Sequence, residues 1–575
     1  MICTVKSVIL LFNEQLNLSM RGKGEQNMIF YAKDFGILPD SEIAEKLDAV
    51  FSEMAKTDDE KTLVFEKGVY CIDLDNCKTR TLYITNTVGD KEFSEKEEEK
   101  PHKSKVGMYL KNIKNLTIQG NGSTFTVDGH CTNIALENCE NITIDGIELD
   151  TLNPPLHEMT VVEKKGGSVV FALDKNCKYV NENGTFYFVG KNYKHKFYNK
   201  FVYSSPALVR ADDPDHMERG LPPFAGARSF KEIEPYKFKA KYFSAKRFKL
   251  GDKYYLFDLR RENVGIFVNS CKNFTLKNSA QRYNCSLALV CQKTENITVD
   301  NVDFSPKPES GKLLCSIADF MQICMCKGQV SVTNSNFCGA SDDAINVHGI
   351  HMYIKKIDGN TLTLKFKHPQ THAFNPFFDG DDIEYVDRFT LECMGKAKIL
   401  TSKLISEHTV EITVDSTDGA KEGMVIEDVT LCPDFYYAGN TVNRITTRGI
   451  LVTTRGKVVI ENNKIINTNM AAILISDDAK SWYESGPCKD VTIRNNYFGE
   501  CYAHFLSVLP ENGKNKNQVH SNITVEGNTF DAKHDKGISL KGAENITIKN
   551  NKIISSKKKN HFVKAVNCKN LVIEQ

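Results

Sequence analysis

The chain has 575 residues, with 74 basic against 73 acidic side chains and a formal net charge of +1. That balance excludes a strongly basic nucleic-acid surface or a polyacidic tail as its main business. Hydrophobic residues make up 41%, including 33 Phe and 21 Tyr. That is enough for a large core, and no stretch reaches the ~18 apolar residues of a membrane span.

Residues 1–28 form an N-terminal extension. Its apolar start, residues 1–12, lacks a small-residue cleavage site, which argues against a signal peptide. Eighteen cysteines occur without paired spacing, which favours a reducing, cytoplasmic location over a secreted or periplasmic one. Residues 41–54 read as an amphipathic helix with Ser41 as N-cap, placed to cover the open end of a repeat core. Residues 62–65 read as a strand. The charge run at 91–105 reads as a solvated loop.

From residue 114 onward a short phrase recurs: Asn, apolar, Thr, apolar. It starts at Asn115, Asn141, Asn273, Asn296, Asn522 and Asn545, with looser copies near Val330, Val458, Val491 and Leu571. Alternation of apolar residues and Thr predicts strands with one face inward. Copies 23 to 33 residues apart are too far apart for hairpins and too irregular for propeller blades. They suit the coils of a parallel β-helix, stacked ~4.8 Å apart. Asn before each strand suits a left-handed turn and a side-chain ladder, so the Asn-x-Thr sequons read as turns rather than glycosylation sites. Two gaps, after Asn141 and after Gln329, contain hairpin-like strands. The predicted fold is all-β: a right-handed parallel β-helix with two inserted small β-barrels or sandwiches and an N-terminal capping helix. Its segments are 29–155, insert 156–262, catalytic coils 263–350, insert 351–435 and terminal coils 436–575.

Asp342 and Asp343 lie between small residues and an apolar strand, a poor place for solvated charge. Asp319, in another apolar stretch, precedes Asp342 by 23 residues. This is one coil length, so the two acids are expected on neighbouring coils at one angle around the axis. Three carboxyls that close drive their pKa values apart, so that one stays protonated beside an ionised neighbour. Asn346 and His348 follow in the same phrase. Farther on, Arg448, Asp477, Trp482 and Glu484 are candidates for gripping a sugar, Trp482 by stacking on its apolar face.

The phrase from Gly339 to Gly349, with Asp319 one coil earlier and inserted β domains on both sides, resembles glycoside hydrolase family 110. The likeness extends from Asp34-Phe35-Gly36 to the C-terminus. It implies an inverting exo-α-galactosidase that removes terminal α-1,3-linked galactose, from the fucose-branched blood group B structure or the linear linkage. It also implies no metal and no organic cofactor. By similarity to polygalacturonase-type sites, Asp342 would protonate the leaving oxygen, and Asp319 and Asp343 would hold and deprotonate the water. The expected partner is a glycan ending in α-linked galactose, with no nucleic acid, and a homodimer is allowed. Two rivals stand beside this reading. One is a polygalacturonase-like hydrolase, for which Arg455-Gly456-Lys457 would supply the cations. The other is a non-catalytic glycan-binding β-helix.

Overall fold

A computed structural model describes residues 28–87, 102–196, 207–257, 261–512, 517–533, 537–554 and 562–574. Most of residues 1–28, and residues 91–101 of the charge run, lie outside them. Lys103, at the end of that run, begins the strand Lys103–Lys111 rather than continuing a loop.

The repeated phrase stacks in register from one end of the chain to the other. Ile118 pairs with Ile144, which pairs with Leu276, then Val299, Val332, Tyr437, Ile460, Ile493, Val525 and Ile548, every step parallel. All are 5% exposed or less, each worth roughly 1.5–3 kcal/mol of burial, while the neighbouring Thr column faces outward. A second parallel ladder runs through Met321–Cys324, Ile345–Asp358, Ile450–Val452 and Ile473–Ile475. This is the β-helix, and the second ladder carries the candidate acids.

Asparagine fixes the corners. Asn115, Asn141, Asn273 and Asn296 all adopt left-handed φ of 54–58°, a region Asn tolerates better than most residues. The side-chain amides of Asn141, Asn273 and Asn296 each donate to the Asn of the preceding coil, at 2.6, 2.7 and 2.9 Å. A second ladder is buried. Asn463, Asn496 and Asn528 each donate a side-chain N–H to a backbone carbonyl and accept from the backbone N–H of the preceding ladder Asn.

The helix Ala44–Met54 buries Leu47, Val50, Phe51 and Met54 against the first coil. It starts three residues later than the sequence suggests. Ser41 is not its cap, since its hydroxyl donates to Leu38 O, and it is the Glu42 carboxylate that accepts from Ala44 N–H at 2.8 Å. No helix among the described residues is long and apolar enough to cross a membrane.

Two antiparallel blocks interrupt the coils. The first is a seven-stranded sheet between His157 and Leu256 with its own aromatic core around Phe171, Phe238 and Phe248. The second closes a six-stranded barrel from Ile345–Asp358, Thr361–Lys365, Thr409–Val414, Cys393–Ser406, Asp382–Val386 and Val425–Asp428. The strand Ile345–Asp358 belongs to both bodies. Ile345, Asn346 and Val347 pair along the β-helix, and His351 to Asp358 pair within the barrel.

Truncating the buried ladder at Asn463→Ala strands a carbonyl and an amide, and should cost about 1–3 kcal/mol in chemical denaturation. Asn545→Ala on the exposed ladder should cost less than about 1 kcal/mol.

Candidate active site

The parallel register places the acids. Phe320 N–H donates to Asp343 O at 3.0 Å, and Ala344 N–H to Arg448 O at 3.2 Å. The column on three successive coils is therefore Asp319, Asp343, Arg448. Asp343, not Asp342, is the in-register neighbour of Asp319, and its backbone N–H reaches the Asp319 carboxylate at 3.3 Å. Asp342 stands one residue to the side. The corner before it needs glycine: Gly339 has φ of 83°, and a Cβ there would lie 2.2 Å from Leu313 O.

Carboxylate oxygens of Asp319, Asp342 and Asp343 lie within 4.8 Å of one another, and all three residues are buried. Three guanidinium groups answer them. Arg448 grips Asp343 with Nε at 2.8 Å and Nη2 at 2.5 Å, and Thr447 donates its hydroxyl to the same carboxylate. Arg261 meets Asp342 at 2.5 Å and Arg219 meets it at 3.1 Å. Burial pushes Asp342 up, but Arg261, Arg219 and Arg448 outweigh it and hold the carboxyl below its ordinary value. Asp319 has no such clamp. Burial, with Asp342 and Asp343 facing it, pushes its carboxyl well above the usual range. One acid that keeps its proton beside one held ionised is the pairing that acid–base hydrolysis uses.

The trio opens into a cavity of about 340 Å³, within the range of small-ligand sites. Asn346, Leu451, Leu474, Glu484, Trp482 and Arg219 are among the residues that line it. Glu484 arrives on a short strand that pairs with Gly349 and Ile350. A Cβ on Gly349 would lie 2.5 Å from Ser485 Oγ, so the His-Gly pair is what lets that strand approach. Asn346 donates to Glu484 at 3.1 Å, and burial pushes the Glu484 carboxyl up. Trp482, 45% exposed, stacks on His368 of the barrel at 4.4 Å between ring centres. Asp478 caps its loop, accepting from the N–H groups of Lys480, Ser481 and Trp482.

Residues 415–575 match the right-handed β-helix region family, and residues 361–426 match the GLAA-B β-barrel domain II. The chain is 34% identical to α-1,3-galactosidase A of Bacteroides thetaiotaomicron, covering 89% of this chain and 90% of that protein. It is 33% identical to α-1,3-galactosidase A of Bacteroides fragilis, covering 96% and 92%. The chain belongs to the α-1,3-galactosidase family, glycoside hydrolase family 110, and is a glycosidase. It is also 26% identical to α-1,3-galactosidase B of Phocaeicola vulgatus, covering 91% and 89%. Among solved structures it is similar to an exopolygalacturonase from Thermotoga maritima, with a TM-score of 0.39, 11% identity and 99% and 96% coverage. That likeness is too distant to bear on the chemistry.

In this α-1,3-galactosidase family member the structure brings Asp319, Asp342, Asp343, Asn346, Arg448, Trp482 and Glu484 to one cavity. Asp477 points elsewhere: it is 1% exposed and pairs with His351 Nε2 at 2.9 Å, while its neighbour Asp478 lines the cavity. His348 does not line this cavity but a small adjoining one that shares Asn86, Trp482 and Glu484 with it, and its Nε2 lies 3.7 Å from the Glu484 carboxylate. Its Nδ1 donates to Gly349 O at 2.7 Å, and its Nε2 accepts from Gln322, which in turn accepts from Asn86. His348 therefore orients Asn86, a cavity residue, rather than facing the cavity. Arg219 and Arg261 are absent from the sequence-based candidates. They come from the first insert and from the segment that follows it, whose path no coil spacing predicts.

The three carboxylates have the spacing of a metal site, but the arginines already supply the compensating charge there. Arg455, the cation that a uronate-binding site would need, is committed to Glu427 and Glu384 at 2.7 and 2.6 Å.

Replacing Arg448 by Met should leave Asp343 buried without its partner. We expect a loss of roughly 3–5 kcal/mol in unfolding experiments, whereas Trp482→Ala should leave stability within about 1 kcal/mol of wild type.

Proposed function

We propose that the cavity takes a terminal, non-reducing, α-1,3-linked galactose and hydrolyses its glycosidic bond with inversion. The single observation that carries this reading is the buried carboxylate trio opening on a sugar-sized cavity in a chain whose relatives are named α-1,3-galactosidases. The cavity is bounded by Arg219 from the first insert and by Trp482 backed by His368 from the second, so it takes a chain end rather than a chain middle. Trp482 stacks on the apolar face of galactose, and Asn346 and Glu484 bind its hydroxyls.

For the roles, the electrostatics favour a division other than the one expected by analogy. Asp319 keeps the proton and gives it to the leaving oxygen. Asp342, held ionised, takes a proton from the attacking water. Asp343, held by Arg448 and Thr447, stabilises the positive charge that develops on the sugar ring. The ligand oxygens of the trio lie within 4.8 Å of one another, closer than the usual ~6.5–9.5 Å of inverting pairs, so inversion rests on the family resemblance. The substrate class spans the branched blood group B trisaccharide and linear galactose-α-1,3-galactose. A reducing, cytoplasmic compartment is part of the same reading, supported by cysteines that are all free thiols among the described residues.

The test is release of galactose from galactose-α-1,3-galactose and B trisaccharide, with polygalacturonate as the control. Activity only on polygalacturonate, or on none, would sink the assignment. Proton NMR in the first minutes should show β-galactose, and α-galactose as first product would contradict inversion. EDTA should leave turnover intact.

Asp319→Asn and Asp342→Asn should each lower turnover on natural glycans by on the order of 10³-fold. With α-galactosyl fluoride, whose leaving group needs no proton, Asp319→Asn should recover and Asp342→Asn should not. The pH profile of kcat/KM should rise through the depressed pKa of Asp342 and fall through the raised pKa of Asp319. Because Asp319 is raised above an unfolded value near 3.9, its ionisation opposes folding at neutral pH. Asp319→Asn should therefore melt no lower than wild type at pH 7.

A further inference from the structure

Away from the carboxylate trio, a second group of side chains has metal-ligand spacing. His372, Glu407 and His408 each offer one ligand atom, and these atoms lie within 4.8 Å of one another. His372 is 4% exposed and His408 7% exposed. The two rings lie 4.4 Å apart at 50°, and the His102 ring stands 5.6 Å from His372. The His372 Nδ1 is buried and has no hydrogen-bond partner among the described residues.

The backbone holds this arrangement at a cost. Ala373, directly after His372, has φ of 66°, a left-handed conformation that costs a non-glycine residue roughly 1–2 kcal/mol. Ala373 N–H donates to Glu407 O at 2.7 Å, which locks the 368–373 loop onto the hairpin tip that carries Glu407 and His408. Two imidazoles and one carboxylate form a borderline donor set suited to zinc rather than to magnesium or calcium.

We propose that His372, His408 and Glu407 form a structural zinc site that staples the barrel loop 368–373 to the hairpin tip, with His102 or water in the fourth position. The first coils meet the loop here. Thr85 and Thr371 hydroxyls lie 3.1 Å apart, Tyr83 donates to Glu407 at 3.3 Å, and Asn86 N–H reaches Thr371 at 3.4 Å. A tetrahedral ion with bonds of ~2.0–2.2 Å would draw the ligand atoms closer by side-chain rotation.

The test uses the full-length protein, stripped with a chelator, dialysed and titrated with Zn²⁺, with bound metal measured by elemental analysis. Wild type should retain one zinc per chain and melt at a higher temperature with it. His372→Ala and Glu407→Gln should bind zinc on the order of 100-fold more weakly or worse, since losing a ligand exceeds the ~10–100-fold cost of losing an outer partner. Cobalt substitution should give the visible absorption of a tetrahedral site in wild type and not in the variants. No retained zinc in wild type would overturn the proposal. So would wild-type zinc affinity in both variants, because the metal would then sit elsewhere, the carboxylate trio included. Should His372→Ala fail to fold, the wild-type titration and the near-isosteric Glu407→Gln decide.

Discussion

Three carboxyl groups buried within 4.8 Å of one another are the constraint on which the rest of this structure turns. Two like charges 4 Å apart repel by about 4 kcal/mol even at an effective dielectric constant of 20. Three full charges in such a space are untenable without compensation. The fold answers with Arg448, Arg261 and Arg219, and with an Asp319 carboxyl pushed toward its protonated form. The arginines come from three places: the coil after the second insert, the segment after the first insert, and the first insert itself. The first insert is therefore not decoration: removing it would take Arg219 away from Asp342 and leave buried charge under-compensated, a costly defect in a core.

A bare β-helix presents a long open groove along its flank. Here the first insert brings Arg219 to the cavity, and the barrel brings His368 to stack on Trp482. The barrel's position is not loosely set, because the strand Ile345–Asp358 begins in the catalytic coil and ends inside the barrel. Asn346, which lines the cavity, is seven residues upstream of Tyr353 in the barrel sheet. Substrate contacts and barrel packing thus share one rigid element, which suits a site whose reacting groups must be held within a fraction of an ångström.

Much of this was legible in the sequence, for a simple reason. A β-helix writes its period directly into the chain, as Asn at the left-handed corner and alternating apolar residues above and below it. Asp319, Asp342 and Asp343 could be found because they break that pattern with charge in an apolar setting. What the period could not give was register to one residue. The in-register neighbour of Asp319 is Asp343, because the coil height there spans 24 residues. Arg219 and Arg261 were invisible because their positions depend on the tertiary fold of an insert, not on the repeat. Asp477 was misplaced by one residue as well: beyond the strand Ile473–Ile475 the chain turns Asp477 to pair with buried His351 and leaves Asp478 lining the cavity. The Ser41 cap failed because Glu42, one residue on, supplies the acceptor for the first free N–H.

The central claim is the partition of charge within the trio, with Asp319 protonated and Asp342 ionised in the free enzyme at neutral pH. Infrared difference spectroscopy reads this directly, because a protonated carboxyl has a C=O stretching band separate from that of a carboxylate. The spectrum of wild type minus Asp319→Asn should contain a protonated-carboxyl band at pH 7, and that of wild type minus Asp342→Asn should contain only carboxylate bands. The opposite pattern, with the protonated band lost in Asp342→Asn and kept in Asp319→Asn, would contradict the account and return the acid role to Asp342.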